Sequence, residues 1–599
     1  MITLDTETDP IEGNPVATPP AGHGLAYIVP GHAPGYLHWR TDRANTKWSA
    51  VCDFLHNILT SKEPLLFHNA AFDISVLKQE FPILPWNLLT PDRVHDTMFQ
   101  LFLADPYAKS LSLKPSAQRY LGMAPDEKDV LTEWIVAHVP EATRKTAGAH
   151  VCKAPLELIA PYAIGDVERT LGIYNHLKDK TPQGPYDRER FLLPILMEGS
   201  KRGIRVNRPA LEQALDVAQA ALLAADDRVR TLLAAPALDV SSGSELAAAC
   251  DAAGLVSEWI LTPTGKQSTS KENLAKCIKD PNLISLLAYR SSISTCIGTF
   301  MLNWLEMSKR DGRLHPSWNQ VRNYDDSNHK SGTRTGRLSC SNPNLQNVPT
   351  EFEQAIPEGL PPLPFMRQFL LPEEGHIWLK RDFSSQEIRI AAHFEDGQLL
   401  EAYRSNPELD PHEMARVMIH DHTGKDFKRK HVKITGFQII YGGGANAISL
   451  KIGCTYSQGQ EFKDAYFTAM PGIKDLSKDT SLRGRNGEGI VTWGGRQYYR
   501  EIDFKYPNRD FSYKLLNYLI QGSAADQTKQ CIVDWDGSRP TGGAFLATVH
   551  DEVNISAPVD NWREHMAHLK EVMNADRLDC PMRSEGFTGG NWHEIEATE

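Results

Sequence analysis

Residues 429–442 read RKHVKITGFQIIYG, a stretch that places two basic and two aromatic side chains at a constant spacing of four. Residues four apart lie one above another on a helix, so these side chains form a single stripe. Two cations in a row suit a triphosphate, and two flat rings suit a base and a sugar. An amphipathic helix with a solvated basic end is the alternative interpretation. The stripe consists of Arg429, Lys433, Phe437 and Tyr441.

The composition is that of an ordinary globular protein. Its 599 residues suffice for several domains, and 41% are hydrophobic and 23% charged. No apolar run approaches the roughly 18 residues of a membrane span, and the first residues lack a secretion signal. Nine scattered cysteines without a C-x-x-C pair indicate free thiols in a reducing cytoplasm. The net charge of −11 argues against whole-surface attraction to nucleic acid but leaves room for a local basic channel.

The chain divides into regions of different pattern. Residues 1–180 alternate strand-like apolar runs, at Ile2–Leu4 and Leu65–Phe67, with helical stretches, which is typical of an α/β domain. The segment 181–185, TPQGP, suggests a boundary. Residues 186–325 look mainly helical, with a long stretch free of glycine and proline after residue 210, and the remainder mixes strands and helices.

Three short motifs in the N-terminal region carry acidic residues: DTE at 5–7, NAAFD at 69–73 and YAIGD at 162–166. Tyr162 and Asp166 are four apart, so both project from one helical face. Four carboxylates in one cleft repel each other unless divalent cations neutralise them. Two such cations about 3.5–4 Å apart activate a water and stabilise the leaving oxygen of a phosphodiester. Surface acids and a helix cap are the alternative interpretation.

A second pair of acids follows strand patterns in the C-terminal half. A strand over 376–383 contains Asp382 and precedes a helix, and two further strands meet at a tight turn at 550–551, which contains Asp551. Here too an alternative exists for each motif. The run from Ser384 to Glu387 fits a capping box, and the turn fits a solvent-exposed hairpin.

Together these motifs resemble those of family A DNA polymerases, the group that contains bacterial DNA polymerase I and many phage replicative polymerases. Residues 429–442 resemble motif B, the D-x-S-x-x-E run from Asp382 resembles motif A, and HDE at 550–552 resembles motif C. The N-terminal acidic motifs resemble those of DEDD proofreading 3′–5′ exonucleases. The resemblance extends from Asp5 to His593 and so covers nearly the whole chain.

The resemblance implies an α/β multidomain fold that combines an RNase H-like exonuclease domain with a right-hand polymerase domain. The implied segments are the exonuclease at 1–180, the thumb at 186–325, the palm at 326–410 and 511–599, and the fingers at 411–510. For the exonuclease it implies metal ligation by Asp5, Glu7, Asp73 and Asp166, with Tyr162 positioning the attacking water.

For the polymerase, the resemblance implies a two-metal site formed by Asp382, the Phe383 carbonyl and Asp551, with Glu552 and His550 near the primer end. The implied nucleotide-binding residues are Arg429, Lys433 and His412 at the triphosphate, Phe437 at the sugar, Tyr441 at the nascent pair and Glu387 against a 2′-OH. Lys433 is also expected to protonate the leaving pyrophosphate. The segments 335–339, 344–349 and 517–522 imply contacts to DNA by Arg337, Asn344, Gln346, Asn347, Asn517 and Gln521.

The predicted function is DNA synthesis with proofreading, using two Mg²⁺ per active site, for which Mn²⁺ can substitute. We expect primer–template DNA and dNTPs as ligands, replisome proteins such as a helicase and a single-strand binding protein as partners, and a monomer without membrane attachment. A compact phage replicative enzyme in the host cytoplasm fits best, with no 5′-nuclease domain. Two positions depart from the family pattern: Gln386 replaces an aliphatic residue, and Tyr513 replaces the arginine common in bacterial relatives.

Two other functions remain open at this point. A single-subunit RNA polymerase shares the palm chemistry, although Glu387, Phe437 and the exonuclease motifs argue against it. A catalytically inactive DNA-binding scaffold is the third hypothesis, although unused buried carboxylates are costly.

Overall fold

The computed structural model describes residues 1–40, 44–124, 126–324, 330–352, 355–503, 505–506 and 508–598. In this part of the chain, no helix is both long and apolar enough to cross a membrane.

The N-terminal region is a five-stranded sheet flanked by helices, with strand order β3-β2-β1-β4-β5. Central strand β1 runs antiparallel to β2 and parallel to β4, which confirms both apolar runs predicted as strands. Its strands are β1 (Ile2–Thr8), β2 (Gly22–Ile28), β3 (Gly35–His38), β4 (Leu65–Phe67) and β5 (Val94–Asp96). Its helices are α1 (Trp48–Thr60), α2 (Ala70–Glu80), α3 (Thr97–Ala104), α4 (Leu113–Leu121), α5 (Asp126–His138) and α6 (Leu156–Leu177).

The middle region is mainly helical, as predicted, and short strands connect it to the rest. A π-helix at Cys296–Met301 joins its last two helices. The helices are α7 (Gln183–Arg202), α8 (Arg208–Leu232), α9 (Gly243–Ala252), α10 (Lys271–Cys277), α11 (Pro281–Thr295) and α12 (Leu302–Met307). The strands are β6 (Ile204–Val206), β7 (Arg313–Leu314), β8 (Ser317–Asn319), β9 (Asn323–Tyr324), β10 (Lys330–Ser331) and β11 (Ser339–Ser341).

The C-terminal region contains a second five-stranded sheet, of order β16-β17-β13-β18-β19, beside a group of helices. Its strands are β12 (Leu370–Leu371), β13 (His376–Phe383), β14 (Ile490–Val491), β15 (Gln497–Tyr498), β16 (Ala544–Val549), β17 (Glu552–Pro558), β18 (Ser584–Gly589) and β19 (Ile595–Thr598). Its helices are α13 (Gln386–Glu395), α14 (Gln398–Ser405), α15 (Pro411–Thr423), α16 (Arg429–Ile440), α17 (Ala445–Ile452), α18 (Tyr456–Ala469), α19 (Pro471–Asn486), α20 (Leu515–Ser538) and α21 (Trp562–Met573).

A buried ionic cluster links α7 to this C-terminal region. The carboxylate of Glu189 on α7 accepts hydrogen bonds from Lys529 Nζ at 2.6 Å and Gln320 Nε2 at 2.7 Å, and also from Arg496. Burial alone raises the pKa of Glu189, but Lys529 and Arg496 hold that pKa below its ordinary value. Because removing one partner from such a cluster leaves a buried charge unpaired, α7 is tied firmly to α20.

Candidate active sites

Three carboxylates meet where β1 passes beneath α6. Asp5 and Glu7 are two apart on a strand and therefore project from the same face, toward Asp166 on the helix. One ligand oxygen from each of the three lies within 4.8 Å of the others, which suits oxygen ligands of a hard divalent cation. The interpretation of these residues as separate surface acids is therefore wrong, since Glu7 and Asp166 are buried.

Electrostatic repulsion in this cluster is large. Burial, followed by Asp73, Asp166 and Glu7, raises the pKa of Asp5 well above its ordinary value. Burial, followed by Asp166, raises the pKa of Glu7 to about 8. Carboxylates gathered in this way can all be ionised together only when bound cations neutralise their charge, which is typical of a metal site.

Asp73 and Tyr162 border the cluster. Asp73, on α2, accepts hydrogen bonds from the Thr6 amide at 2.9 Å and the Thr6 hydroxyl at 2.7 Å through one oxygen. Burial raises the pKa of Asp73 to about 7 although these bonds oppose the shift. Tyr162 lies one turn before Asp166 on α6, as its spacing predicted. The structure thus brings all five predicted residues of the exonuclease to one place.

One residue of this site was missed by the sequence analysis. Lys114, in the first turn of α4, is buried, and its ammonium donates to both carboxylate oxygens of Asp166, with 2.5 Å to Oδ2. The same ammonium lies 4.0 Å from the ring centroid of Tyr162. Its sequence signal was weak: Lys114 occupies the first position of a stripe whose later members are Ala117 and Leu121, the spacing of a core-facing residue.

The second site is formed at one end of the C-terminal sheet. Asp382 is paired across β13 and β17 with Glu552, and the amide of Phe383 donates to the carbonyl of Asp551 at 3.4 Å. His550 occupies the turn with φ of +58°, the left-handed conformation that a tight connection requires. This register places Asp382 and Asp551 side by side, so the tight turn predicted between two strands is confirmed.

The pKa values of both aspartates are raised. Burial, followed by Asp551 and Glu552, raises the pKa of Asp382 to about 7. Burial is also the main reason that the pKa of Asp551 rises to about 6. Oδ1 of Asp382 is buried and has no hydrogen-bond partner among the described residues. A buried carboxylate oxygen without a partner, beside a second carboxylate, fits a divalent metal ion.

Glu552 has a different environment from the two aspartates. Its carboxylate accepts hydrogen bonds from Asn554 Nδ2 at 2.6 Å and Trp592 Nε1 at 3.0 Å, and Lys380 Nζ lies 3.1 Å away. These donors hold the carboxylate within the sheet. Its role near a primer end stays a prediction.

The stripe of basic and aromatic residues does lie on a helix, α16, which begins at Arg429, and Tyr441 follows its last residue. Arg429 Nε donates to Asp410 at 2.7 Å. The ring of His412 lies 5.5 Å from that of Phe437, and the Phe437 and Tyr441 rings are 6.0 Å apart. Burial, followed by the charge of Lys433, lowers the pKa of His412 to about 4.

Glu387, on α13, connects the end of α16 to Arg337. Its carboxylate accepts a hydrogen bond from the Tyr441 hydroxyl at 2.7 Å and another from Arg337. The capping-box interpretation is wrong: Ser385, not Ser384, is the N-cap residue of α13, at φ of +56°, and its side chain makes no capping bond. Glu387 is therefore directed at Tyr441 and Arg337 rather than at its own helix end, and its contact with a nucleotide stays a prediction.

Arg337, His550 and Gln346, which are among the predicted DNA-contacting residues, lie beside this site. Arg337 and His550 lie close enough for the arginine to contribute to the lowered pKa of His550, of which burial is the main cause. Gln346 donates to the carbonyls of Leu338 at 3.1 Å and Thr548 at 3.3 Å. The structure shows these positions, whereas contact with DNA stays a prediction. The remaining predicted residues are Asn344 and Asn347 around the turn at 345–347, and Asn517 and Gln521 on α20.

Comparisons with known proteins agree with this geometry. Residues 210–594 match the model of DNA polymerase family A, and residues 38–182 match a 3′–5′ exonuclease model. The exonuclease match begins after Asp5 and Glu7, so the structure, not this comparison, unites them with Asp166. The fold is similar to that of the POL domain of Pol1 from M. smegmatis in complex with DNA primer-template and dNTP, with a TM-score of 0.73 and 20% identity over 99% of this chain and 95% of that one.

Curated relatives include phage and bacterial proteins. The DNA polymerase DpoZ of Vibrio phage phiVC8 is 25% identical over 96% of this chain and 93% of its own length. The DNA polymerase I of Pseudomonas aeruginosa is 27% identical over 99% of this chain and 63% of its own length. With a family model covering more than half of its residues, the chain belongs to DNA polymerase family A and carries a 3′–5′ exonuclease domain.

Proposed function

We propose that this polymerase copies phage genomes by adding dNTPs to a DNA primer on a template, and that its exonuclease domain removes mispaired primer ends. The observation that carries the polymerase assignment is the pair Asp382 and Asp551, side by side at the end of the sheet, with one buried carboxylate oxygen of Asp382 unpartnered in the described part of the chain. The phage relatives support the replicative role. Replisome partners and a monomeric state remain part of this proposal.

Asp382, Asp551 and the Phe383 carbonyl would hold the metal ions. When bound, two Mg²⁺ (or Mn²⁺) would lower the pKa of the primer 3′-OH and stabilise the negative charge of the departing pyrophosphate. The two aspartates would hold these ions at the end of the sheet, where the primer end is expected.

Residues on α16 would bind the triphosphate. Among the described residues, Lys433 pairs with no carboxylate, so its charge is available to an anion and its proton to the leaving pyrophosphate. Arg429 is held by Asp410, which fixes its guanidinium at the start of the helix. His412, neutral because of its low pKa, can offer an N–H without adding charge.

The residues around the expected position of the sugar favour deoxynucleotides over ribonucleotides. Glu387 is buried and fixed by Tyr441 and Arg337, so it cannot easily move aside for a 2′-OH. Phe437 would contact the sugar beside it. These features favour DNA synthesis over the RNA polymerase alternative.

In the exonuclease domain, Asp5, Glu7, Asp73 and Asp166 would hold the metal ions, and the Tyr162 hydroxyl would orient the attacking water. Asp73 is positioned for this role by the two hydrogen bonds from Thr6.

A primer-extension gel tests both activities. A 5′-labelled DNA primer on a longer template is incubated with Mg²⁺ and either four dNTPs, no nucleotide or four rNTPs. We expect extension with dNTPs and shortening without nucleotide. Extension only with rNTPs would favour the RNA polymerase alternative, and no change in any lane would favour the scaffold.

A further inference from the structure

The exonuclease carboxylates share their cleft with two buried cations: the ammonium of Lys114, which donates to both oxygens of Asp166, and the guanidinium of Arg169, whose Nη1 lies 3.6 Å from Oδ1 of Asp166. Burial and mutual repulsion raise the pKa of Asp5 and of Glu7, and Lys114 opposes both shifts. Among the described groups, Lys114 is the cation that both carboxyls have in common. Its side chain is only 10% exposed, so its position is set by packing rather than by solvent.

The backbone explains why the ammonium reaches Asp166. Helices α4 and α6 lie side by side, and Gly172 permits their close approach, because a Cβ there would lie 2.7 Å from Leu121 Cδ1. Lys114 lies seven residues before Leu121 on α4, and Asp166 lies six residues before Gly172 on α6. The two side chains therefore meet further along the same helix pair. The Tyr162 ring, 4.0 Å from the ammonium, supports it from one side.

We infer that Lys114 is the resident counter-cation of the exonuclease site: it holds Asp166 when divalent cations are absent and releases Asp166 when they bind. Lys114 contacts both oxygens of Asp166, and one of those oxygens belongs to the cluster within 4.8 Å that a metal ion would occupy. Two cations cannot share that oxygen at contact distance without strong repulsion, so the lysine and the metal compete.

Two consequences follow for the enzyme. Lys114 keeps the carboxylates together before the metal arrives, and it lowers the affinity of the site for metal. It acts through Asp166 and is therefore a positioning residue. This inference rests on the proposed exonuclease function, because it assumes that Asp166 is a metal ligand.

The test compares the full chain with its Lys114→Met and Lys114→Gln variants, and with Lys109→Met as a matched control that removes an exposed lysine of the same domain. Asp382→Asn and Asp551→Asn are present in every protein, to weaken metal binding at the polymerase site. Mn²⁺ binding is measured by calorimetry, and thermal melting is measured in EDTA and in Mn²⁺.

We expect both Lys114 variants to bind Mn²⁺ about tenfold more tightly, because the ammonium no longer competes with the metal for Asp166. A tenfold change has the same free energy as a shift of about one pKa unit. Their melting temperatures should fall in EDTA and recover in Mn²⁺, while Lys109→Met behaves as the parent. Lys114→Arg, which keeps the charge, should keep the weaker affinity. Glutamine retains a hydrogen-bond donor. The Mn²⁺ affinity of Lys114→Gln can therefore still be measured if Lys114→Met does not fold in EDTA.

Unchanged or weaker Mn²⁺ binding in both uncharged variants would overturn the inference, as would an equal loss of melting temperature with and without Mn²⁺. Primer degradation by the parent is measured in the same preparations. If the parent degrades no primer in Mg²⁺, the proposed exonuclease function itself fails. If degradation occurs but Mn²⁺ affinity is unchanged by substitution, only the role of Lys114 is lost.

Discussion

The hydroxyl of Tyr441 donates a 2.7 Å hydrogen bond to Oε2 of Glu387, so the residue after α16 is fastened to the first turn of α13. The other carboxylate oxygen of Glu387 is bonded by Arg337. One carboxylate thus joins three segments that are far apart in sequence, at the place where a nucleotide sugar is expected.

Glu387→Ala is expected to increase the use of rNTPs relative to dNTPs by about 10- to 100-fold, because the carboxylate no longer occupies the space beside the 2′ position. The measurement is the ratio of kcat/KM for dATP and ATP in single-nucleotide addition. Tyr441→Phe is the control, since it removes the hydrogen bond but keeps the carboxylate. An equal rise in both variants would mean that the bond, not the carboxylate, sets the selectivity.

Phe437→Tyr should improve incorporation of 2′,3′-dideoxynucleotides markedly. Phe437 lies near His412 and Tyr441 on the stripe that we expect to face the nucleotide, and a hydroxyl added there can replace the contact that a missing 3′-OH leaves empty. Competition between dTTP and ddTTP on a sequencing gel measures this directly. Equal discrimination by both proteins would place Phe437 away from the sugar.

Asp5→Ala combined with Glu7→Ala should abolish primer degradation and spare primer extension, because both belong to the carboxylate cluster of the first site and not to the second. The reciprocal variant, Asp382→Asn, should lose extension and retain degradation. Both activities are read from the same labelled primer. Loss of extension in the first variant would show that the two sites depend on each other.

The stability of the metal-free exonuclease domain should fall as pH rises. In the folded chain the pKa of Glu7 is about 8, against an ordinary 4.5, so between these values the folded state binds more protons than the unfolded state. The stabilisation is complete below about pH 4.5 and is lost progressively toward pH 8.

Melting in EDTA at pH 5.5 and 8.0 measures this slope. Saturating Mg²⁺ should flatten it, because bound cations neutralise the ionised carboxylates. Glu7→Gln should reduce it without metal, and Asp5 and Asp73, whose pKa values are also raised, should keep the remainder. A slope that is the same in all three cases would assign the pH dependence to groups elsewhere.

Gln386→Leu is expected to destabilise the protein by about 1–3 kcal/mol, the cost of leaving buried polar partners unsatisfied. The Gln386 amide donates to Gln527 Oε1 at 3.0 Å, Thr528 Oγ1 at 3.2 Å and the Ala524 carbonyl at 3.3 Å. In a Gln527→Leu background the cost should be smaller, and urea unfolding of the four proteins of this cycle measures the difference. Additive losses would show that the two glutamines are not coupled.

Local patterns predicted much of this molecule. Strand β4, strand β13 and the helix that begins at Arg429 follow directly from apolar runs and from the spacing of four. The carboxylates of both sites were identified from short motifs, and the structure brings them together. Such features are encoded by neighbours in the chain, so a single sequence suffices to find them.

Contacts between distant segments were not predicted. The bond between Lys114 and Asp166 joins residues 52 apart, and no period in the sequence marks that pairing. The environment of Glu552 depends on Trp592, from the turn between β18 and β19. The capping interpretation of Ser384 failed because the chain takes a left-handed turn at Ser385. These outcomes depend on tertiary packing, which overrides local preference.

The buried cluster around Glu189 has a consequence for dividing this enzyme into parts. Helix α7 follows the exonuclease domain in sequence. The carboxylate of its Glu189, however, is enclosed by Lys529, Arg496 and Gln320, which lie in the C-terminal half of the chain. A cut made after α7 would take the Glu189 carboxylate away from the buried Lys529 and Arg496, and would leave Arg496 with Asp526 as its carboxylate partner. A separable polymerase fragment should therefore begin near residue 182, and α7 belongs to the fragment that synthesises DNA.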